Sequence, residues 1–225
     1  MSDVSFTKTI LILSANPRGT DPLRLDEEVR EIEEGIQRSR YRDTFIIQHK
    51  TAVRPRDVQR AMLDFKPQIV HFCGHGTGDA GLILEDESGK VKPVRGTALA
   101  NLFELFSRQV ECVLLNACYS EVQAKEIANH IPYVIGMNQS IGDRAAIEFA
   151  TSFYDALGAG RTVEFAFKLG KNAMQLAGIA EDQTPVLLSG GSGQTPSKEK
   201  RSRIFISYKR GVSPDEAVAM EVYHA

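Results

Sequence analysis

Three cysteines in 225 residues, an odd number without regular spacing, leave no basis for a disulfide framework and fit a reducing compartment. Neither sign of charge is in excess. Lys and Arg number 27 against 29 Asp and Glu, a formal net charge of −2, with both signs mixed along the chain. That pattern lacks the electrostatic footprint of a nucleic-acid or anionic-membrane binder. No apolar run approaches the roughly 20 residues of a membrane span, and MSDVSFTKTILILSANP is too briefly apolar for a signal peptide. A cytoplasmic protein without a membrane or nucleic-acid partner is expected. No internal repeat is visible. No glycine-rich fingerprint follows the first apolar run, where Asn16-Pro17-Arg18-Gly19 stands instead, so a dinucleotide cofactor is not expected.

What is present is an ordinary globular mixture, 42% hydrophobic and 25% charged, enough for one good core and one or two domains. Residues 9–15 (TILILSA) predict a buried first strand. Leu25, Val29, Ile32 and Ile36 then recur at helical spacing, with Asp, Glu and Arg on the other faces and Gly35 weakening the helix slightly. Residues 45–49 (FIIQH) predict a strand, followed by a helix that starts at Pro55 and buries Val58, Met62 and Phe65. Residues 81–94 (GLILEDESGKVKPV) predict a β-hairpin around Asp86-Glu87-Ser88-Gly89. Leu99, Leu102, Phe103 and Phe106 mark a helix, residues 122–131 another, and 133–137 a fifth strand. Helices at about 143–157 and 162–177 flank Gly158-Ala159-Gly160, and 185–188 is a last strand. Such alternation predicts an α/β fold with a right-handed, doubly wound parallel sheet.

Residues 189–202 are polar and rich in Gly and Ser, a flexible linker. Residues 203–208 (RIFISY) resume as a strand, and Ser213-Pro214-Asp215-Glu216 fits a capped helix start. A strand and one or two helical turns bury no core alone, so residues 203–225 are expected to be the truncated start of a second domain.

Two apolar runs end in chemistry-bearing residues. Residues 68–76 (QIVHFCGHG) lead to His75, and residues 110–118 (VECVLLNAC) lead to Cys118. As parallel neighbouring strands they release both side chains at one carboxyl edge, where ligands of open α/β sheets bind. A thiol beside an imidazole is the minimum apparatus of a cysteine nucleophile. Gly74 and Gly76 flank the histidine and allow close approach of a substrate carbonyl. The amides of Gly76 and Cys118 each open the loop after a strand and are natural oxyanion donors. On spacing alone, a packed, inert cysteine is the commoner role for such a residue.

Cys73 and Cys112, inside their strands, are expected in the core, and His71 is expected to be packed and hydrogen-bonded; His49, His130 and His224 have no evident partner. A zinc site from His71, Cys73, His75 and Cys118 is not expected, because residues alternating along one strand span too far for tetrahedral ligation. Asn116, Asp143 and Asn16 are candidate substrate-pocket residues. Asn116 equally suits capping of loop backbone, and Asp143 suits the first turn of a helix.

The motifs around these residues resemble the CHAT family, caspase-like bacterial cysteine peptidases. Residues 69–76 (IVHFCGHG) and 113–120 (VLLNACYS) are similar to its two active-site strands. Residues 134–138 (VIGMN), Gly142-Asp143 and 153–160 (FYDALGAG) continue the resemblance in order. Residues 13–17 (LSANP) and 23–29 (LRLDEEV) are similar to the N-terminal segment of a bacterial subgroup. The likeness spans about residues 8–188, so residues 1–188 are expected to be the peptidase domain. It implies a three-layer caspase-hemoglobinase-like fold with a mainly parallel, doubly wound sheet and a β-hairpin insertion. It also implies that His75 is the base or thiolate partner, Cys118 the nucleophile, and Gly76 and Cys118 the oxyanion hole, with no obligatory third member, metal or cofactor. The partner is a protein or peptide substrate. Metacaspase-type relatives carry an acidic residue two positions before the nucleophile. Asn116 stands there in this chain, so a preference for arginine or lysine does not carry over.

Residues 204–210 (IFISYKR) and the capped helix after them resemble the start of a TIR domain. TIR enzymes that cleave NAD use a glutamate on a later helix, which this sequence does not reach, so NAD cleavage is not expected of it. Self-association through a complete TIR domain is. The expected function is a regulated cysteine endopeptidase in bacterial stress or antiphage signalling. The alternative is a catalytically silent caspase-like sensor or scaffold coupled to a TIR effector.

Overall fold

A computed structural model of the chain describes residues 7–190. The expected TIR-like segment at 203–225 and nearly all of the expected linker lie outside them. The apolar run at the N-terminus forms β1 (Lys8–Ala15), whose last six residues are buried. Next come α1 (Leu25–Arg38), β2 (Phe45–Lys50), α2 (Pro55–Phe65) and β3 (Ile69–Gly74). The hairpin forms as β4 (Leu82–Glu85) and β5 (Val91–Val94), then come α3 (Gly96–Leu105) and β6 (Cys112–Asn116). The chain continues through α4 (Glu121–Ile127), β7 (Tyr133–Met137), α5 (Asp143–Gly158), α6 (Val163–Leu176) and β8 (Pro185–Ser189).

Six strands form one sheet in the order β2-β1-β3-β6-β7-β8, with every pair parallel except β7 and β8. The antiparallel edge departs from the wholly parallel pattern that simple alternation suggests. Two helices, α5 and α6, separate β7 from β8. An even number of passes returns the chain to the edge it left, so the next strand must enter reversed. The hairpin is a separate two-stranded ribbon whose turn is organised by Asp86: its Oδ1 accepts from Ser88 N, Ser88 Oγ and Lys90 N at 2.7–2.9 Å. β8 reaches Ser189, and Gly190 N donates to Pro132 O, so the ordered fold extends past residue 188 into the expected linker. The expected 122–131 helix is shorter, ending at Ile127 before turns that bury Ile131. Pro132 disfavours helical backbone in the residue before it.

Alternating side chains of the strands divide the interior into two cores. Leu11, Leu13, Val70, Phe72, Val113 and Leu115 meet α2, α3 and α4 on one face. Ile10, Ile12, Ile69, Cys73, Cys112 and Leu114 meet α1, α5 and α6 on the other. Gly35 does more than weaken α1: a Cβ there would lie 2.6 Å from Asp155 Oδ1, so the missing side chain lets α1 and α5 close together. Among the described residues no helix is long and apolar enough to cross a membrane.

Candidate active site

Cys73 of β3 pairs in register with Asn116 of β6, so the two central strands end level at the carboxyl edge. His75 follows one strand end, and Cys118 the other. The loops then touch. A Cβ on Gly76 would stand 2.2 Å from the Cys118 carbonyl oxygen and 3.2 Å from Ala117 Cβ. Only glycine permits that approach, and the glycine next to the histidine thereby abuts the peptide of the cysteine.

Each side chain is half-buried and held by a different loop. His75 Nε2 lies 3.1 Å from the Asp21 carbonyl oxygen. A carbonyl only accepts, so the ring donates from Nε2; the neutral imidazole then keeps its basic lone pair on Nδ1. Ile141 N donates to Cys118 Sγ at 3.5 Å, and the sulfur also lies 3.5 Å from Ser140 Oγ and 3.7 Å from Ile141 O. Asp21 precedes α1 and Ile141 precedes α5, two helices that pack together on one face of the sheet. Both reactive groups are therefore steadied from the same side. Among the described residues no hydrogen bond joins His75 directly to Cys118.

Backbone after the cysteine is tightly set. Tyr119 adopts φ +55°, unusual for a residue with a side chain, and its N–H donates to Gln139 O at 3.1 Å. Fully buried Ser120 donates to Leu115 O at 2.7 Å and accepts from Met137 N at 2.9 Å, joining the ends of β6 and β7. Among the described residues neither the Gly76 N–H nor the Cys118 N–H has a protein acceptor. Two free donors thus flank the sulfur-bearing turn. Cys73 and Cys112 are different: burial raises the Cys73 thiol well above its ordinary range and pushes Cys112 up to about 12. Neither supplies a thiolate at neutral pH, which leaves Cys118 as the accessible thiol.

The three candidate pocket residues have different surroundings. Asn116 is 4% exposed, and its amide donates to Glu28 Oε1 at 2.5 Å and to Ala146 O at 3.1 Å. Its side chain is committed to the interior and presents no pocket wall, which is nearer to the capping alternative. Asp143 is the first residue of α5 and accepts from Arg24 N at 3.3 Å, with the Arg24 guanidinium 3.8 Å away. Asn16 is exposed and lines a cavity of about 240 Å³ beside the end of β1, together with Ser14, Asp26 and Glu85.

Sequence reasoning missed two participants. The Asp21 carbonyl is backbone and carries no signal in a sequence. Glu28 did carry one: it lies three residues after Leu25 and four before Ile32, on the apolar stripe of α1, and it is 3% exposed. It was expected on a solvated face. It lies instead beneath the sheet edge, with its Oε1 3.1 Å from His71 Nε2.

Known proteins are similar to this chain in sequence and in fold. The profile of the CHAT domain family matches residues 5–179. A Roc-COR-CHAT protease from an unknown prokaryotic organism is 26% identical over 178 residues, 75% of this chain and 17% of that protein. A probable protease of Gillisia limnaea is 26% identical over 172 residues, 75% of this chain and 30% of the relative. The chain thus spans less than a third of the length of either relative. Among solved structures, a secreted C11 cysteine protease from Bacteroides thetaiotaomicron, in complex with an irreversible peptide inhibitor, superposes with a TM-score of 0.58 at 13% identity. That match covers 82% of this chain and 66% of the other. The Arg-specific cysteine proteinase gingipain R also gives 0.58, at 14% identity, over 83% of this chain and 46% of the other. These likenesses establish the caspase-like fold expected from the motifs. With its family profile matched across most of its length, the chain belongs to the CHAT domain family.

Proposed function

We propose that the chain is a cysteine endopeptidase in which His75 and Cys118 form the catalytic dyad. The observation that carries the reading is the contact between the Gly76 loop and the Cys118 peptide, which brings a base, a thiol and two free N–H donors to one edge. Cys118 Sγ attacks the scissile carbonyl carbon while its proton passes to His75 Nδ1, the nitrogen left basic by the Asp21 contact. The tetrahedral oxygen accepts from Gly76 N–H and Cys118 N–H, an interaction whose loss typically slows acyl transfer by about 10²–10³-fold. The leaving amine takes the proton from His75. Water, deprotonated by the same nitrogen, then releases the acyl group and restores the thiol. The separation of histidine and thiol in the free protein closes when substrate binds.

The substrate is a protein partner, and the domain serves as the effector of a longer bacterial stress or antiphage signalling protein. Two observations support that setting: the TIR-like sequence at 204–210, and relatives several times longer than this chain. The test is incubation of the chain and its Cys118→Ala variant with candidate partner proteins, reading new termini by mass spectrometry. Cleavage by the first alone is expected. Equal cleavage by both would reject Cys118 as nucleophile, and cleavage by neither, with an unreactive Cys118, would favour the silent scaffold.

A further inference from the structure

Beneath the proposed dyad, on the α1 and α5 face of the sheet, lies a second set of chemically competent side chains that the peptidase reading does not use. Glu28 of α1 and His71 and Cys73 of β3 are all buried, and one ligand atom from each lies within 4.8 Å of the others. We propose that Glu28, His71 and Cys73 form a binding site for a divalent transition-metal ion, zinc by donor type.

Part of the geometry is already in place. Zinc bonds of roughly 2.0–2.3 Å put tetrahedral donors roughly 3.3–3.6 Å apart. Glu28 Oε1 and His71 Nε2 already stand 3.1 Å apart, and one donor atom from each of the three residues lies within 4.8 Å of the others. His71 and Cys73 share a face because they are two residues apart on a strand. The strand alone cannot complete a tetrahedral set; the third donor comes from a helix, which residue spacing along β3 did not reveal.

The imidazole points to a missing partner. His71 is 0% exposed, stacks on Tyr154 at 5.7 Å, and has neither ring nitrogen in an aligned hydrogen bond despite the nearby carboxylate. Buried nitrogens in native proteins are normally paired, and leaving one unpaired is costly. Asn116 Oδ1 and Tyr154 OH are also buried and unpartnered. The charge balance suits a dication. One carboxylate, one thiolate and a neutral imidazole around it sum to zero, which low-dielectric surroundings favour. Binding releases the Cys73 proton to solvent, since a coordinating thiol is deprotonated outright. No redox step is involved.

Ser14 forms part of the wall of the 240 Å³ cavity at the end of β1, which also carries the carboxylates of Asp26 and Glu85. Ser14 Oγ lies 3.1 Å from Cys73 Sγ, making it a candidate fourth donor.

Cobalt(II) serves as the probe, titrated into the metal-stripped chain under reducing conditions and followed by absorption. A one-to-one complex with a thiolate charge-transfer band is expected in the parent chain and in Cys118→Ala, displaced by one equivalent of zinc. Cys73→Ser is expected to lose the band while keeping its circular dichroism. Glu28→Gln is expected to weaken binding by at least 10-fold. Absence of the band from the parent chain would overturn the site, as would a band that vanishes with Cys118 and survives in Cys73→Ser. Because Cys118→Ala is still expected to bind metal, failure of the peptidase reading and failure of this site are separable.

Discussion

The Asp21 carbonyl oxygen stands 3.1 Å from His75 Nε2, joining the loop before α1 to the loop after β3. The contact sets the tautomer of the imidazole and so assigns the basic nitrogen. It also supplies an orienting third group from the main chain, where the family resemblance required no third side chain. A substitution at Asp21 therefore keeps the oxygen, and a role for His75 survives most changes there.

Gly76→Ala tests the loop contact. Its Cβ would fall 2.2 Å from the Cys118 carbonyl oxygen, a backbone atom that has no rotamer by which to escape. The Cys118 peptide must shift. A misplacement of about 1 Å at a reacting group costs roughly 100-fold in rate. The expected outcome is such a loss in cleavage or in labelling of Cys118, with circular dichroism unchanged; a fully active variant would remove Gly76 from the site.

Asn116→Ala tests whether that residue reads substrate or holds the interior. Removing its amide strips a donor from buried Glu28. The expected cost is about 1–3 kcal/mol, a drop of several degrees in Tm for a chain of this size. Cleavage preference, measured on a peptide library, is expected to stay the same. A changed preference with unaltered Tm would restore the residue to a pocket wall.

Asp155→Asn tests the α1–α5 contact. Burial, reinforced by Glu31 and offset in part by Arg38, raises the Asp155 carboxyl above its ordinary range. A raised carboxylate pKa means the folded state holds its proton more tightly than the unfolded chain does. The ionised group consequently opposes folding above the folded pKa, and the penalty vanishes below the unfolded value near 4. Asp155→Asn is expected to raise Tm at pH 7 and to lose that advantage as the pH falls toward 3. A gain that grows on acidification would contradict the sign.

Most of the fold was legible because buried parallel strands are written as short apolar runs. Residues 9–15, 69–74 and 112–116 are such runs, and each became a strand. His75 and Cys118 stood out because each follows a run, which is where a sheet edge must be. What stayed hidden depended on atoms or contacts that no residue letter encodes. The Asp21 oxygen is backbone. Asn116 shares the alternation of Cys118, but only the tertiary approach of α1 decides that its amide meets Glu28. Glu28 was the readable exception, a carboxylate on an apolar stripe whose position contradicts a solvated face. The reversed β8 follows from counting helices, which the alternating pattern alone obscured.

The central claim is that His75 activates Cys118. The most direct measurement is the second-order rate at which a peptide electrophile labels the chain, with the adduct mapped by mass spectrometry, in the parent and in His75→Ala. The account predicts an adduct on Cys118 and a rate at least about 100-fold lower without the histidine. An adduct on Cys73 or Cys112, or equal rates in the two proteins, would contradict it.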